Sequence, residues 1–144
     1  MLTVGTLVMM CGFPHDRELM SRIIRTESGG RVYAVAEVNG SGHFPRSISQ
    51  ALAMIDSAHA AGRKVSVGIA QIYEDNVRRF GVDMAQAFEP CVNLQMAHQI
   101  LLECRARSHA QDERVVLRQV LSCYNSGNFI TGQSNGYVSA TLGD

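Results

Sequence analysis

The sequence predicts a single, mostly helical α+β domain with a small β-hairpin or irregular β element. Of its 144 residues, 46% are hydrophobic and 18% are charged, a balance that suits one globular core. Several stretches repeat apolar residues at helical spacing, and glycines end most of them. Strand-like alternation occurs in only two short stretches. Such a layout can place a cleft between a helical half and a β-containing edge.

The charged residues indicate no partner. Thirteen Lys and Arg residues balance thirteen Asp and Glu residues, so the chain lacks the basic surface typical of nucleic-acid binding and lacks an acidic tail. No Walker-type or dinucleotide glycine pattern appears, which argues against nucleotide chemistry. The sequence therefore predicts neither a nucleic-acid partner nor a nucleotide cofactor.

The segment from Leu2 to Met10 is apolar but short. A membrane helix needs roughly 20 such residues, so no membrane span is predicted. The segment has the length of the apolar part of a secretion signal, but no Lys or Arg precedes it and Met9-Met10 is not a small-residue cleavage site. Two interpretations stay open for residues 1–10: a signal remnant or N-terminal extension, or an ordinary buried segment. The domain proper is expected at residues 11–144.

The first helix is predicted to start at Asp16 and to end at the Ser-Gly-Gly segment 28–30, since glycine readily takes the left-handed conformation that closes a helix. Glu18 and Arg22 have the i,i+4 spacing of an ion pair. Glu27 shares the apolar face of this helix, which is formed by Leu19, Met20, Ile23 and Ile24.

A β element and a second helix are expected next. Residues 32–38 carry strand-forming types and lead into the segment Asn39-Gly40-Ser41-Gly42, a strong turn signal. Ser47 and Gln50 form a capping-box pattern, and Gly62 supplies a stop. The second helix should therefore occupy the stretch between Ser47 and Gly62.

The remaining chain predicts one more strand and four more helices. Val65 and Val67 alternate like a strand, and a helix is expected from Ala70 to Phe80, where Gly81 terminates it. The other three helices are expected from Val92 to about His109, from Asp112 to Ser126, and from Tyr137 to Leu142.

The four cysteines are Cys11, Cys91, Cys104 and Cys123. In an exported domain they would form two disulfides, whereas in a cytosolic protein they would be buried thiols. If residues 92–109 form one helix, Cys91 and Cys104 lie about 20 Å apart along it, beyond disulfide reach. Two disulfide connectivities remain: Cys11 with Cys91 and Cys104 with Cys123, or the crossed alternative.

No metal or cofactor is predicted. Cys91, His98, Cys104 and His109 are of metal-binding type, but their spacing matches no standard zinc pattern and they do not share one helix face. Nothing in the sequence places a base beside Cys123 to make it a nucleophile. Surface or hydrogen-bonded roles are expected for the remaining histidines, His15, His43 and His59.

Glu27 is the most informative ionisable residue. A carboxyl group that loses solvent on an apolar face has a raised pKa, as a general acid at neutral pH requires. The alternative is a glutamate that extends its carboxylate to water. That alternative leaves negative charge at a helix C-terminus, which is the unfavourable end of the helix dipole. Spacing alone leaves both interpretations open.

Three segments, ESG at 27–29, GIAQI at 68–72 and SCYNSGN at 122–128, occur in this order along the chain. They resemble the ESG, GLMQI and AYNAG segments of lytic transglycosylases with the goose-type-lysozyme fold. Each motif alone is weak, but their order and spacing together are specific. The resemblance extends from Cys11 to Leu142, so it implies a lysozyme-like catalytic domain.

Other features are similar to the branch of this family associated with type IV secretion and conjugation systems. They are the insertion that contains the helix from Ser47, a cysteine sixteen residues before the glutamate, FEPCVNL at 88–94, and NSGNF followed by GYV at 136–138. The resemblance implies export to the periplasm or cell envelope and a secretion or conjugation complex as a partner. It also implies a Cys11–Cys91 disulfide, which leaves Cys104 for Cys123.

The resemblance implies roles for individual residues. Glu27 matches the single catalytic acid/base, and Ser28 matches the residue that supports this carboxylate or the substrate. Gln71 is the best polar candidate for holding the sugar N-acetyl group, and the phenol of Tyr124 can orient the carboxyl group. The implied substrate-binding residues are Ser28, Gly68, Ile69, Ala70, Gln71, Tyr73, Tyr124, Asn125 and Tyr137.

Two departures from the family pattern affect the sugar subsites. Arg31-Val32 stands where Asn-Pro often follows ESG, and Tyr73 stands where an asparagine often follows GLMQI. Neither departure replaces the acid, so the expected reaction is unchanged.

The expected function is that of a peptidoglycan lytic transglycosylase. Such an enzyme cleaves the β-1,4 bond between N-acetylmuramic acid and N-acetylglucosamine, leaves a 1,6-anhydromuramic end, and opens the wall locally for a secretion or conjugation apparatus. A hydrolytic muramidase is one alternative, and the nearest second carboxylates are Glu37, Asp56, Asp75 and Asp83. The other alternative is a non-catalytic wall-binding assembly factor, which would not require the acid.

Overall fold

The computed structural model describes residues 3–13, 15–38, 40 and 42–144. More than half of them lie in helices, and the strands form one small antiparallel sheet, which confirms the predicted mostly α, α+β class. The chain divides into two compact units, Met1–Met96 and Ala97–Asp144. No helix among the described residues is long and apolar enough to cross a membrane.

The first unit contains the sheet and most of the shorter helices. Its elements are α1 (Val4–Met10), α2 (Arg17–Glu27), β1 (Val35–Glu37), β2 (Gly42–His43), α3 (Ile48–Ala60), β3 (Val65–Val67), β4 (Ile72–Tyr73), α4 (Glu74–Arg79) and α5 (Met84–Ala87). Helix α6 (Pro90–Arg107) begins in this unit and continues past its boundary. The second unit also contains α7 (Glu113–Ser126), α8 (Thr131–Ser134) and α9 (Tyr137–Leu142).

The sheet has the strand order β2-β1-β3-β4, and every neighbouring pair is antiparallel. The predicted hairpin is present as β1 and β2, although Asn39 and Ser41 of its turn lie outside the described residues. Val35 lies opposite Val67 at the centre of the sheet, and both side chains are buried. The β element is thus anchored by apolar residues at its two central strands.

Helix α2 follows its sequence pattern closely. Met20, Ile23 and Ile24 are fully buried, and Glu18 accepts a hydrogen bond from Arg22 at 3.0 Å, as the spacing predicts. The helix ends after Glu27, where the N–H groups of the next two residues both donate to the Ile24 carbonyl. The apolar face therefore determines which way the last turn, with Glu27, projects.

The predicted helix from Ala70 to Phe80 is wrong in its first part. Residues 68–71 form a tight turn, Ile72–Tyr73 form β4, and α4 starts only at Glu74. The cause is local backbone conformation, since Gly68 has φ +83° and Gln71 has φ +54°. Neither angle is compatible with a right-handed helix.

The capping-box pattern at Ser47 is realised in half. The Ser47 Oγ accepts a hydrogen bond from the Gln50 N–H at 3.2 Å, as expected. The Gln50 Oε1, however, accepts from the Arg46 N–H at 2.9 Å rather than from the N–H of Ser47. The Gln50 side chain thus binds Arg46, one residue before the N-cap, instead of the N-cap residue Ser47, so the capping box is incomplete.

Each unit contains one disulfide. Cys11 pairs with Cys91 in the first unit, and Cys104 pairs with Cys123 in the second. This is the connectivity implied by the resemblance, and the crossed alternative is wrong. The Cys11–Cys91 bond links residues 80 positions apart and ties the end of α1 to α6.

Helix α7 ends at Gly127, where a left-handed conformation is required. Gly127 has φ +81° and its N–H donates to the Cys123 carbonyl at 2.7 Å. We expect Gly127→Ala to lower the free energy of unfolding by about 1 kcal/mol, because a Cβ is strained in this conformation. Chemical denaturation of both proteins measures this loss.

Gly5→Ala is the matched control for Gly127→Ala. Gly5 lies inside α1 and has no positive φ, and apart from its chain neighbours and the helix's own backbone, no described atom lies within 4 Å of the position that an alanine Cβ would take there. Alanine is the better helix former at this site, so this change should be neutral or stabilising. Equal losses in the two variants would contradict the role assigned to the left-handed conformation.

Candidate active site

The predicted acid, Glu27, is the last residue of α2 and is half-buried. Ile23 and Ile24 precede it on the helix and are 0% exposed. Directly after it, the chain turns through Gly29 (φ +65°) and Gly30 (φ +91°). The carboxyl group therefore projects from a helix end that is held by a buried apolar face.

Ser28 joins this helix end to the GIAQI segment. It is 3% exposed, and its Oγ donates to the Ile69 carbonyl at 2.7 Å. The same Oγ accepts from the Gly30 N–H at 3.1 Å. Because a hydroxyl has one proton to donate, these contacts commit the Ser28 donor to the protein backbone. Ser28 thus positions residues 27 and 68–71 beside each other.

The turn at 68–71 allows only glycine at its first position. A Cβ on Gly68 would lie 2.2 Å from the Asn93 Nδ2 and 2.8 Å from its Cγ. Ile69 and Ala70 are buried in the same turn. Gly68 of the GIAQI motif therefore allows this turn to pack closely against Asn93 of α6.

Asn93 holds the turn in place from α6. Its side chain is 0% exposed, and its Oδ1 accepts from the Ala70 N–H at 2.8 Å. Its Nδ2 donates to the Val67 carbonyl at 3.0 Å and to the Ala87 carbonyl at 2.8 Å. Both ends of the amide are therefore engaged, and Asn93 links β3, the 68–71 turn and the end of α5.

Gln71 presents a defined acceptor. Its Nε2 donates to the Ala34 carbonyl at 3.1 Å and to the Gly68 carbonyl at 2.9 Å. Two carbonyl partners fix which end of the amide is nitrogen. Among the described residues, no hydrogen bond is made to its Oε1, and the side chain is half-buried. Gln71 can therefore accept a hydrogen bond from a ligand N–H or O–H.

Tyr73 lies at the far end of β4 and precedes α4. Its ring is half-buried, and the Lys64 Nζ lies 5.8 Å from the ring centre. Lys64 also donates to both carboxylate oxygens of Asp75 at 2.9 Å, and this hydrogen bond raises the pKa of the Lys64 amine. The cation beside Tyr73 is therefore one that already pairs with a carboxylate.

Two of the predicted residues of the second unit, Asn125 and Tyr137, are linked through Asn135. The Asn135 Nδ2 donates to the Asn125 Oδ1 at 2.9 Å, and its Oδ1 accepts from the Tyr137 N–H at 2.9 Å. Tyr124 and Tyr137 are half-buried, whereas Asn125 is exposed. Asn135 therefore fixes the end of α7 relative to the start of α9.

Sequence reasoning missed Asn93 and Asn135 as positioning residues. Asn93 falls within the FEPCVNL segment that carries the resemblance, and it is a polar residue on an otherwise buried side of α6. A polar residue on an apolar helix face could have indicated this role, since a buried amide is almost always hydrogen-bonded. Asn135 carries no such signal, because an exposed Asn before Gly reads as an ordinary turn residue.

A buried carboxylate, Glu74, was also missed. It is 3% exposed and accepts from the Val65 N–H at 2.7 Å and from the His59 Nε2 at 2.9 Å. These contacts fasten α4 to β3 and α3, and they confirm that His59 is hydrogen-bonded. Among the described residues, no group of three His, Cys, Asp or Glu side chains could hold a metal ion.

Comparison with known proteins places this arrangement in a family. The family described as "Transglycosylase SLT domain" matches residues 9–143. "Type IV secretion system protein virB1" of Brucella abortus biovar 1 (strain 9-941) is 36% identical over 130 residues, which cover 88% of this chain and 55% of the relative. The protein of the same name from Brucella suis biovar 1 (strain 1330) matches equally well.

A more distant relative is "Protein virB1" of Agrobacterium fabrum (strain C58 / ATCC 33970). It is 34% identical over 91 residues, which cover 62% of this chain and 37% of the relative. The chain thus spans about half the length, or less, of the curated relatives it matches. No solved structure matches the chain. The family match extends over almost all of the sequence, and the chain belongs to the transglycosylase SLT domain family.

Proposed function

We propose that this chain is a peptidoglycan lytic transglycosylase with Glu27 as its single catalytic acid and base. The observation that carries the proposal is the Ser28–Ile69 hydrogen bond at 2.7 Å, which holds the end of α2 against the 68–71 turn. A half-buried carboxyl group and a rigid substrate-binding turn thereby occupy neighbouring positions. Membership of the transglycosylase SLT domain family supports the same reaction.

In the proposed first step, protonated Glu27 donates its proton to the oxygen that links N-acetylmuramic acid to N-acetylglucosamine. The bond from this oxygen to the anomeric carbon breaks, and positive charge develops on that carbon. The neighbouring acetamido oxygen of the muramic acid stabilises the charge. No carboxylate nucleophile is needed at this stage.

In the second step, the Glu27 carboxylate takes the proton from the C6 hydroxyl of the same muramic acid. The C6 oxygen then bonds to the anomeric carbon and closes the 1,6-anhydro ring. Glu27 is again protonated, and water is not consumed. One residue thus serves as acid and as base, as the mechanism requires.

The amide of Gln71 supports recognition of the sugar. Its Nε2 donates to two backbone carbonyls, so its Oε1 is the atom left to bind a ligand. An acetamido N–H is a suitable donor for this oxygen. We propose that Gln71 holds the acetamido group in place, while Ser28 contributes by positioning the turn rather than by contacting the sugar.

Three of the four nearest second carboxylates are paired or cap a helix, which favours a transglycosylase over a muramidase. Glu37 accepts from Arg63 at 2.8 Å, and Asp75 accepts from Lys64 at 2.9 Å. Asp83 caps α5, and Asp56 is exposed on α3. An inverting hydrolase needs a carboxylate that is available to activate water opposite the acid. Paired and capping carboxylates are poor bases for that purpose.

Product analysis tests this assignment directly. Purified sacculi digested with the protein should yield muropeptides that end in 1,6-anhydromuramic acid, which mass spectrometry distinguishes by the absence of one water. Reducing N-acetylmuramic ends in their place would establish a muramidase. Sacculi that bind the protein and stay intact would favour the non-catalytic assembly factor.

We further propose that the enzyme acts in the periplasm, where it opens the wall for a type IV secretion or conjugation apparatus. The Brucella relatives are named as type IV secretion system proteins, and the similarity to them covers 88% of this chain. Two disulfides are consistent with an oxidising compartment. The proposed partners are therefore glycan strands and components of such a complex.

A further inference from the structure

We propose that Arg31 and Phe44 form a subsite for a carboxylate carried on the 3-O-substituent of muramic acid. The inference rests on the proposed function, because it assigns a substrate group to residues beside Glu27. It concerns one of the two positions where the sequence departs from the family pattern. The subsite would make the enzyme selective for strands that carry this charge.

Arg31 and Phe44 form a preorganised pair on the first unit. The Arg31 guanidinium carbon lies 4.1 Å from the centre of the Phe44 ring, a cation–π contact. The guanidinium also donates from Nη1 to the Ser28 carbonyl at 3.5 Å. A planar cation stacked on a ring and tied to the backbone loses little freedom when it binds an anion.

This pair lies next to the catalytic segment. Besides its side-chain contact, Arg31 donates its own N–H to the Ser28 carbonyl at 3.3 Å. A Cβ on Gly29 would lie 3.3 Å from the Arg31 Nη1, so the side chain folds back along the turn that follows Glu27. A group bound by Arg31 would therefore lie on the segment that directly follows Glu27, the proposed proton donor.

The charge of Arg31 remains available to a ligand. Among the described residues, no carboxylate lies within ion-pair distance of it, whereas Arg22 and Arg63 each pair with one carboxylate and Arg78 pairs with two. Phe44 is 52% exposed although it is a large aromatic residue. An unpaired guanidinium on an exposed ring is a surface that a planar anion such as a carboxylate can cover.

The proposed substrate supplies such an anion on the reacting sugar itself. Muramic acid differs from N-acetylglucosamine by a lactyl ether at O3. The lactyl group ends in a free carboxylate, or in an amide to a peptide that bears carboxylates of its own. Both sources present the same chemistry to Arg31, and both hang from the ring whose anomeric bond is cleaved.

The test compares Arg31→Gln with wild type on three substrates. These are peptide-bearing strands, strands stripped of peptide by an amidase, and peptide-bearing strands whose carboxylates have been converted to amides. On strands with carboxylates, we expect the variant to raise KM by about 3- to 10-fold with little change in kcat, because the contact serves binding. On amidated strands, wild type and variant should have the same KM.

The stripped strands identify the source of the anion. A penalty on the stripped strands assigns the lactyl carboxylate, which is free only there, and a penalty confined to peptide-bearing strands assigns a peptide carboxylate. The penalty should also shrink at high salt, which a purely structural defect would not do. Phe44→Leu should produce a smaller loss of the same kind, because it removes the ring but keeps the cation.

Arg46→Gln is the matched control. Arg46 is exposed on the same unit, and its backbone N–H rather than its side chain makes the hydrogen bond to Gln50. An Arg31→Gln penalty that is equal on amidated strands, or equalled by Arg46→Gln, would overturn the subsite. Wild-type protein that cleaves none of the strands would instead contradict the proposed function.

Discussion

Glu27→Gln is expected to lower kcat by about 10²- to 10⁴-fold on peptidoglycan, the range typical of losing a general acid. The substitution keeps the shape of the side chain at the end of α2 but removes the proton that the mechanism transfers twice. Substrate affinity should change far less, because binding is assigned to the turn at 68–71 and its neighbours. Release of soluble muropeptides from sacculi, measured alongside cosedimentation, separates the two effects.

Glu18→Gln provides the control on the same helix. Glu18 is exposed and pairs only with Arg22 among the partners described, at 3.0 Å, so its loss should leave activity unchanged. Full wall-degrading activity in Glu27→Gln would refute the assignment of the acid.

Asn93→Ala is expected to lower the free energy of unfolding by about 3 kcal/mol. The change removes three interior hydrogen bonds, those to the Ala70 N–H and to the carbonyls of Val67 and Ala87. Each is worth about 1 kcal/mol net, and buried groups that lose a partner add a desolvation cost. For a chain of this size, the melting temperature should fall by roughly 10 °C. Thermal denaturation followed by circular dichroism measures it.

Asn93→Ala should also reduce activity in protein that remains folded, because the turn that carries Gln71 loses its anchor. Gln95→Ala is the matched control, since Gln95 is exposed on the same helix and differs from Asn93 chiefly in burial. It should change the melting temperature little. If the two variants had the same melting temperature, the amide of Asn93 would not be what holds the turn.

The predicted helices were correct where a buried apolar stripe ran between a cap and a glycine. Helix α2 is the clearest case, because Met20, Ile23 and Ile24 set its buried face and the glycines after Ser28 set its end. The same local signals placed α3 and α7. The short helices α1, α5 and α8 were not predicted, because each buries only one residue and so shows no apolar stripe.

The candidate site was predictable as a set of motifs but not as an arrangement. GIAQI was expected to lead into a helix, and only the positive φ angles of Gly68 and Gln71 reveal a turn there. Which end of the Gln71 amide faces outward depends on carbonyls of Ala34 and Gly68, and the first of these is 37 residues away. No local pattern encodes a partner at that separation.

The sequence by itself determined the fold class, the position of Glu27 at the end of its helix and the three motifs on which the resemblance to the family rests. These features depend on local spacing, which periodic burial and helix-ending glycines record directly in the chain. Only the tertiary structure decided that Ser28 binds the Ile69 carbonyl, that Asn93 holds the turn, and that Arg31 stacks on Phe44. The physical reason is that each of these contacts joins segments distant in sequence, so its partner is chosen by packing.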